Sequence, residues 1–350
     1  MTAVHDRPIT GPGAWKASDF PGGVDDIAFD LGPRHRAAIA EAMAVVGTRG
    51  LAMEEVGRAD FTLPDIAGEL AALAEAIDRG RGIVVIRGFP VGDYSQNDIE
   101  TIYWGIGTHF GAPVSQSVMG DHLGHVVDVT DVDPHARAYR ARQELSLHTD
   151  LSDIACLLCI HPAGAGGLSR FASALAIHNE MLATRPDLLE PLYRGFRWHR
   201  LGEQGADEDP ITPHRVPHFS YLGGRLSCRY VRNYIREAAF ALGEQLDDAA
   251  EEAFDTFDEI GRRPDFQLEF TLRRGEAVFM NNLTVLHART AFENHGDPTR
   301  KRHLMRLWLA SHTAPAVVPE IQIYSTGRGG GVPKQEDGRM PSFERNFDLS

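Results

Sequence analysis

The segment Gln143-Glu-Leu-Ser-Leu-His148-Thr-Asp150 carries the side chains with the most chemical promise. Leu145 and Leu147 alternate there with Glu144, Ser146, His148 and Asp150. On a strand, residues two apart share a face, so His148 and Asp150 stand side by side opposite an apolar face. A neutral imidazole and a carboxylate so placed can take adjacent positions on one metal ion. A third ligand from a distant strand would complete a set of two His and one carboxylate with open positions left over, which suits non-heme Fe(II). An isolated H-x-D pattern is common and often serves only as a surface hydrogen bond, so its weight depends on what lies downstream.

Downstream, Glu276 to Phe292 contains a strand-like run that ends at His287, the candidate third ligand. Fifteen residues later begins Arg302-His-Leu-Met-Arg306-Leu-Trp308, in which a strand places Arg302, Leu304, Arg306 and Trp308 on one face. Two arginines on a buried-looking strand require an anionic partner, because an unpaired buried charge is very costly. A guanidinium presents a planar fork matched to a carboxylate. Beside a metal, such a fork is what a dicarboxylate co-substrate requires. The plainer reading pairs both arginines with protein carboxylates such as Glu144, or turns them to solvent.

The elements that must position these residues are legible in outline. Residues 1–30 are rich in Gly and Pro and read as an irregular lead-in. Helical patterns follow at about 36–46, at 66–78 with Leu70, Leu73 and Ile77 on one face, and after a capping Ser95 with Ile99, Ile102, Tyr103 and Ile106 as its stripe. Gly82-Ile-Val-Val-Ile-Arg87 reads as a buried strand. From about residue 124 short strand-like runs dominate, at 124–130, 143–150, 154–160, 167–172, 218–222, 225–231, 267–272, 276–287 and 302–310. Helical stretches interrupt them at about 174–193, broken at Pro186, and at 246–261. This predicts a mixed α/β, mainly β chain with a jelly-roll core and flanking helices. No internal linker divides it, so residues 1–350 are expected to form one catalytic domain with an irregular or draped tail over 315–350.

Composition excludes several classes. The chain has 350 residues and a formal net charge of -14, which disfavours nucleic-acid backbones and anionic lipid as partners. No apolar run is long enough for a membrane helix, and the first twenty residues lack the apolar stretch of a secretory signal. Three cysteines are too few for a disulfide framework, so a reducing cytoplasm is expected. Cys156-Leu-Leu-Cys159 imitates a metal motif, but it sits in an apolar run and reads as core thiols. Gly105-Ile-Gly107 follows a helix rather than a strand, which argues against a dinucleotide loop.

At this point the sequence resembles the taurine/2-oxoglutarate dioxygenase family (TauD/TfdA), with its clavaminate synthase-like and γ-butyrobetaine hydroxylase-like branches. The likeness runs from about Gly82 to Ala310. It rests on Gly82 to Pro90, Phe110-Gly111-Ala-Pro113, His148-Thr-Asp150, Gly166-Gly167-Leu-Ser169, His287-Ala-Arg-Thr-Ala-Phe292 and Arg302-His-Leu-Met-Arg306. The resemblance implies a double-stranded β-helix holding Fe(II) and using 2-oxoglutarate and O2. It implies His148, Asp150 and His287 as iron ligands and Arg302 as the clamp on the distal carboxylate of 2-oxoglutarate. Ser169 keeps the hydroxyl that the family often supplies as Thr, and Arg306 matches a second arginine near co-substrate or substrate. The gap from His287 to Arg302 is at the long end for the family. Halogenating relatives lack the carboxylate ligand, which Asp150 supplies here. The implied reaction hydroxylates, or otherwise oxidises, a small charged organic substrate with release of succinate and CO2. A metal-dependent hydrolase and a non-catalytic small-molecule binder on the same barrel are the alternatives.

Substrate contacts are expected from loops over the barrel mouth, at about 114–142 and 200–235, with Gln116, Ser117, Tyr221, Arg229, Tyr230 and Arg232 as candidates. Strand parity with His148 also places Glu144 on the metal face, and Arg306 shares the face of Arg302. Together they would offer a zwitterion one negative and one positive anchor, unless they pair with each other. The substrate itself and the oligomeric state, a homo-oligomer included, are not legible.

Overall fold

The computed structural model describes residues 3–131, 133, 140–313 and 315–336. Seven α-helices appear among them: α1 (Pro33–Arg49), α2 (Ala67–Asp78), α3 (Gln96–Gly107), α4 (Ala174–Thr184), α5 (Leu189–Arg194), α6 (Arg232–Leu242) and α7 (Asp248–Arg262). Local chemistry sets their ends. Pro33 opens α1 and Gly50, at φ 63°, closes it. The Ser95 side chain accepts from the Asp98 N–H and starts α3. Pro186 separates α4 from α5, as the sequence predicts. Helix α6 is an addition: only its first residues fall in the loop expected over about 200–235, and the sequence predicts nothing for the rest. Of its residues Ile235 and Ala238 are buried, and Tyr234 packs against the same core.

The strands are β1 (Ala28–Asp30), β2 (Ile83–Arg87), β3 (Gly111–Pro113), β4 (Leu123–Val127), β5 (Leu145–His148), β6 (Ile154–His161), β7 (Ala165–Gly166), β8 (Ser169–Ser173), β9 (Phe219–Leu222), β10 (Arg225–Cys228), β11 (Gln267–Phe270), β12 (Glu276–Asn281), β13 (Val285–Arg289), β14 (Phe292–Glu293) and β15 (His303–Ser311). A seven-stranded sheet runs β1-β2-β12-β6-β15-β3, with β4 also paired to β15. A four-stranded sheet runs β11-β8-β13-β5, and β9·β10 and β7·β14 are separate pairs. The run expected as one strand over 276–287 is two, β12 and β13, which lie in different sheets and are joined by the turn at Asn281–Thr284.

Alternation along the strands makes the large sheet a wall between two cores. Val84, Ile86, Cys156, Leu158, Phe279, Met305 and Leu307 pack with residues of α1, α2 and α3. Ile83, Val85, Ala155, Val278, Met280, Leu304 and Trp308 join the other core, which also takes in the four-stranded sheet and α4 to α7. Behind the small sheet α7 comes so close that a Cβ on Gly261 would lie 2.7 Å from Leu147 Cδ1. All three cysteines are free and buried. Burial pushes the Cys159 thiol up to about 12 and Cys156 well above its ordinary value, which fits packing rather than ligation.

The tail over residues 315–336 is draped. Val332 donates to Ser115 O at 2.9 Å, Gln335 donates to Val118 O at 2.8 Å, and the Arg328 Nε donates to Asp153 Oδ1 at 2.7 Å. No helix among the described residues is long and apolar enough to cross a membrane.

Candidate metal and co-substrate site

Pairing of β13 with β5 sets His287 opposite His148, with ring centroids 4.2 Å apart. Asp150 lies just beyond the end of β5. Its Oδ1 is 3.9 Å from His148 Nε2 and its Oδ2 is 3.8 Å from His287 Nε2. One ligating atom from each of the three lies within 4.8 Å of the others, and no second group of this kind occurs among the described residues. His148 Nδ1 donates to Ser146 O at 2.8 Å, which leaves the Nε2 lone pair toward the centre. Burial holds His148 below its ordinary pKa and carries His287 down to about 3, so both imidazoles are neutral, as ligands must be. Burial alone would raise Asp150. Arg306 and the Trp308 Nε1–H, 2.8 Å from Oδ2, instead keep it below the usual carboxylate range. Two neutral imidazoles and one carboxylate, converging and already oriented, fit a non-heme Fe(II) ion.

Next to this trio the strands bring two guanidinium groups together. Arg289 of β13 stands opposite Ser169 of β8. The guanidinium carbons of Arg289 and Arg302 lie 4.6 Å and 4.9 Å from the centre of the Phe292 ring. Both arginines are buried, and neither forms an ion pair with a described residue. Burial pushes Arg302 down to about 10 and Arg289 to about 9. The Gly166-Gly167 turn, with φ of 67° and 70°, lets the chain pass Arg302. A Cβ on Gly167 would sit 3.6 Å from the Arg302 Nε. Arg289 also donates to the carbonyls of Ala141 (3.0 Å) and Gln143, which ties β13 to the approach of β5.

The candidate substrate residues divide. Arg306 reaches the site, with NH1 3.7 Å from Asp150 Oδ1. Gln116 is buried beside it, but its amide is occupied. The Oε1 accepts from Arg306 Nε at 2.7 Å, and the Nε2 donates to the carbonyls of Arg306 (3.0 Å) and His122 (2.9 Å). It positions Arg306 rather than standing free for a substrate. Glu144 is a correction. Its side chain is 58% exposed and pairs with Arg170 at 3.0 Å, not with Arg306. The register slips by one residue between His287↔His148 and Arg289↔Leu145, and that bulge reverses the parity on which Glu144 was placed. Tyr221 is a second correction. On β9 it stacks on His5, with centroids 3.9 Å apart, and has no contact with the trio. Ser117 bonds Asp121, Tyr230 donates to Asp258 and Arg232 pairs with Asp258, so all three have structural partners. Arg229 and, unanticipated in sequence, Asn282 grip the backbone of Asp150.

Comparison with known proteins agrees with this geometry. A model of the "Taurine catabolism dioxygenase TauD, TfdA family" matches residues 48–308. The FR-33289 synthase of Streptomyces rubellomurinus (strain ATCC 31215) is 30% identical over 318 residues, covering 88% of this chain and 92% of that protein. The taurine hydroxylase-like protein SAT17 of Stachybotrys chartarum (strain CBS 109288 / IBT 7711) is 29% identical over 312 residues, covering 84% and 77%. Among solved structures, asparagine oxygenase in complex with Fe(II), 2S,3S-3-hydroxyasparagine and succinate superposes with a TM-score of 0.61 at 15% identity, over 81% of this chain and 93% of that one. The non-heme iron oxygenase OrfP with Fe and alpha-ketoglutaric acid gives 0.60 at 15% identity, over 81% and 94%.

Proposed function

The chain belongs to the TauD/TfdA family of dioxygenases, and from that membership we propose how its own residues carry the reaction. It is a non-heme Fe(II)- and 2-oxoglutarate-dependent dioxygenase. The observation that carries the assignment of residues is the convergence of His148, Asp150 and His287 beside two buried arginines that form no ion pair among the described residues. His148, Asp150 and His287 hold the iron. Arg302 takes the distal carboxylate of 2-oxoglutarate, with the Ser169 hydroxyl beside it. Bound there, iron and co-substrate supply activation of O2 for oxidation of a substrate C–H bond, with succinate and CO2 released. The protein supplies the rest: neutral imidazoles, and a carboxylate kept charged by Arg306 and Trp308.

The substrate is a small charged molecule, met by the Arg306 guanidinium that Gln116 holds beside Asp150. With Glu144 turned outward, the anionic anchor once expected for a zwitterion is absent from that position, so an anionic group on the substrate is the better match. The two sheets form the halves of a double-stranded β-helix, the chain acts as one catalytic domain, and its site of action is the cytoplasm. A zinc hydrolase on the same barrel would leave Arg302 without a role.

The test has two parts. Anaerobic Fe(II) and 2-oxoglutarate added together should give a weak visible absorption band that neither gives alone. Succinate release should then respond to one class in a panel of amino acids, amines, sulfonates, phosphonates and carboxylates. A protein that shows no band and releases no succinate with any of them is not acting through this site.

A further inference from the structure

Resting on the assignment of Asp150 as an iron ligand, we propose that Asn282 and Arg229 are its positioning residues. Of the three ligands, His148 and His287 sit in strands, where the ladder fixes the backbone. Asp150 does not, because β5 ends at His148 and β6 begins at Ile154. Side chains supply the missing ladder. Asn282 is fully buried in the turn between β12 and β13. Its Oδ1 accepts from the Asp150 N–H at 2.8 Å, while its Nδ2 donates to Asp150 O at 2.5 Å and Ser152 O at 3.0 Å. Its own N–H donates to Asp153 O at 2.8 Å. Arg229, 5% exposed, donates through NH1 to the same Asp150 carbonyl. One amide thus satisfies both backbone groups of Asp150, much as a neighbouring strand would.

The placement couples two ligands. Asn282 lies five residues before His287 on one continuous segment. Whatever moves β13 therefore moves the Asp150 backbone with it, and the spacing between carboxylate and imidazole is kept. Partners outside the ligand set typically change metal affinity or activity by about 10–100-fold, because a displaced ligand must be drawn back at a cost in binding free energy.

Titration of metal-free protein with Co(II) alone, followed by calorimetry and by the visible spectrum of the bound ion, tests this. Asn282→Ala should weaken Co(II) by roughly 10–100-fold and alter the spectrum. Its turnover should recover at high Fe(II), with the KM for 2-oxoglutarate close to wild type. Arg229→Met serves as a second variant if Asn282→Ala does not fold. In metal-free wild type the Asp150 amide hydrogen should exchange as slowly as those of β13, and rapid exchange overturns the clamp whatever the variants do. Co(II) affinity within twofold of wild type and an unchanged spectrum, in a variant set where Asp150→Ala has lost binding, overturns the inference and leaves the triad standing. Wild-type affinity in Asp150→Ala overturns both.

Discussion

Around Asp150 the protein meets its own polar groups: Trp308 and Arg306 face the carboxylate, and Asn282 and Arg229 hold the backbone. At the other end of the site, Arg289 and Arg302 are buried against one phenyl ring and form no ion pair among the described residues, Asp128 acting on Arg289 only from beyond ion-pair distance. The first arrangement is complete before anything binds except for the metal's own charge. The second leaves two desolvated cations, a state that costs stability until an anion arrives. The contrast separates what the fold builds in advance from what it leaves to the co-substrate. Ligand geometry is fixed by protein hydrogen bonds, whereas charge balance at the arginines is deferred.

Breaking the ligand end should have the largest effect. Asp150→Ala is expected to reduce 2-oxoglutarate turnover well beyond the roughly 10–100-fold typical of an outer partner, with circular dichroism unchanged. Wild-type turnover in that variant would sink the triad. Next comes the arginine end. Arg302→Ala should raise the KM for 2-oxoglutarate by an amount equivalent to about 2–5 kcal/mol, far more than the KM of the primary substrate. If the 2-oxoglutarate KM does not move, the clamp is Arg289 or Arg306.

The sharper version of the comparison concerns stability. Without ligands, Arg302→Met should melt at a higher temperature than wild type, since replacing buried charges with apolar groups is often neutral to stabilising by about 1–4 kcal/mol. Wild type should gain stability from added 2-oxoglutarate and the variant should not. A fall in melting temperature for Arg302→Met would show that its charge is already balanced.

His218 offers a third kind of buried polarity, packed among aromatic rings. Both of its ring nitrogens are buried without a hydrogen-bond partner among the described residues, and burial takes its pKa from 6.5 to about 3. The unfolded chain therefore binds more protons than the folded one between those values. Stability should be full above pH 6.5 and fall as pH drops toward about 3, and His218→Phe should flatten that slope whether or not 2-oxoglutarate is present. The smallest effect belongs to Glu144→Gln. Its exposed pair with Arg170 is worth about 0–1 kcal/mol, and substrate preference should not change. Selective loss of cationic or zwitterionic substrates would return Glu144 to the cavity.

The same two ends show what can be read from a chain alone. Arg306 and Trp308 fell on one face because alternation along β15 holds, with Leu304 and Trp308 in one core and Met305 and Leu307 in the other, whereas Arg302 lies just ahead of β15, beyond a slip in its pairing with β6 between His303 and Leu304. Alternation failed at Glu144 because a bulge leaves no mark in the order Glu-Leu-Ser-Leu-His. Gln116 was noticed but given the wrong duty, and Asn282 escaped notice. Their partners lie 190 and 132 residues away, where no periodicity reports contact. The division of 276–287 into β12 and β13 was hidden by a turn, Asn281-Asn-Leu-Thr284, that contains neither glycine nor proline.

The place of β15 in the large sheet bears on how the molecule is made. This strand, at residues 303–311, joins β6 on one side to β3 and β4 on the other. The other neighbour of β6, β12, also comes late in the chain, at residues 276–281. An apolar strand completed at residue 161 thus waits with both edges bare. At about 5–20 residues per second, β15 emerges roughly 7–30 s afterwards. During that interval Ile154–His161 is an open template for pairing with other chains. Slow synthesis or stalling before residue 303 should therefore favour aggregation, and a chaperone that shields β6 should raise the yield of folded protein more than any substitution at the site.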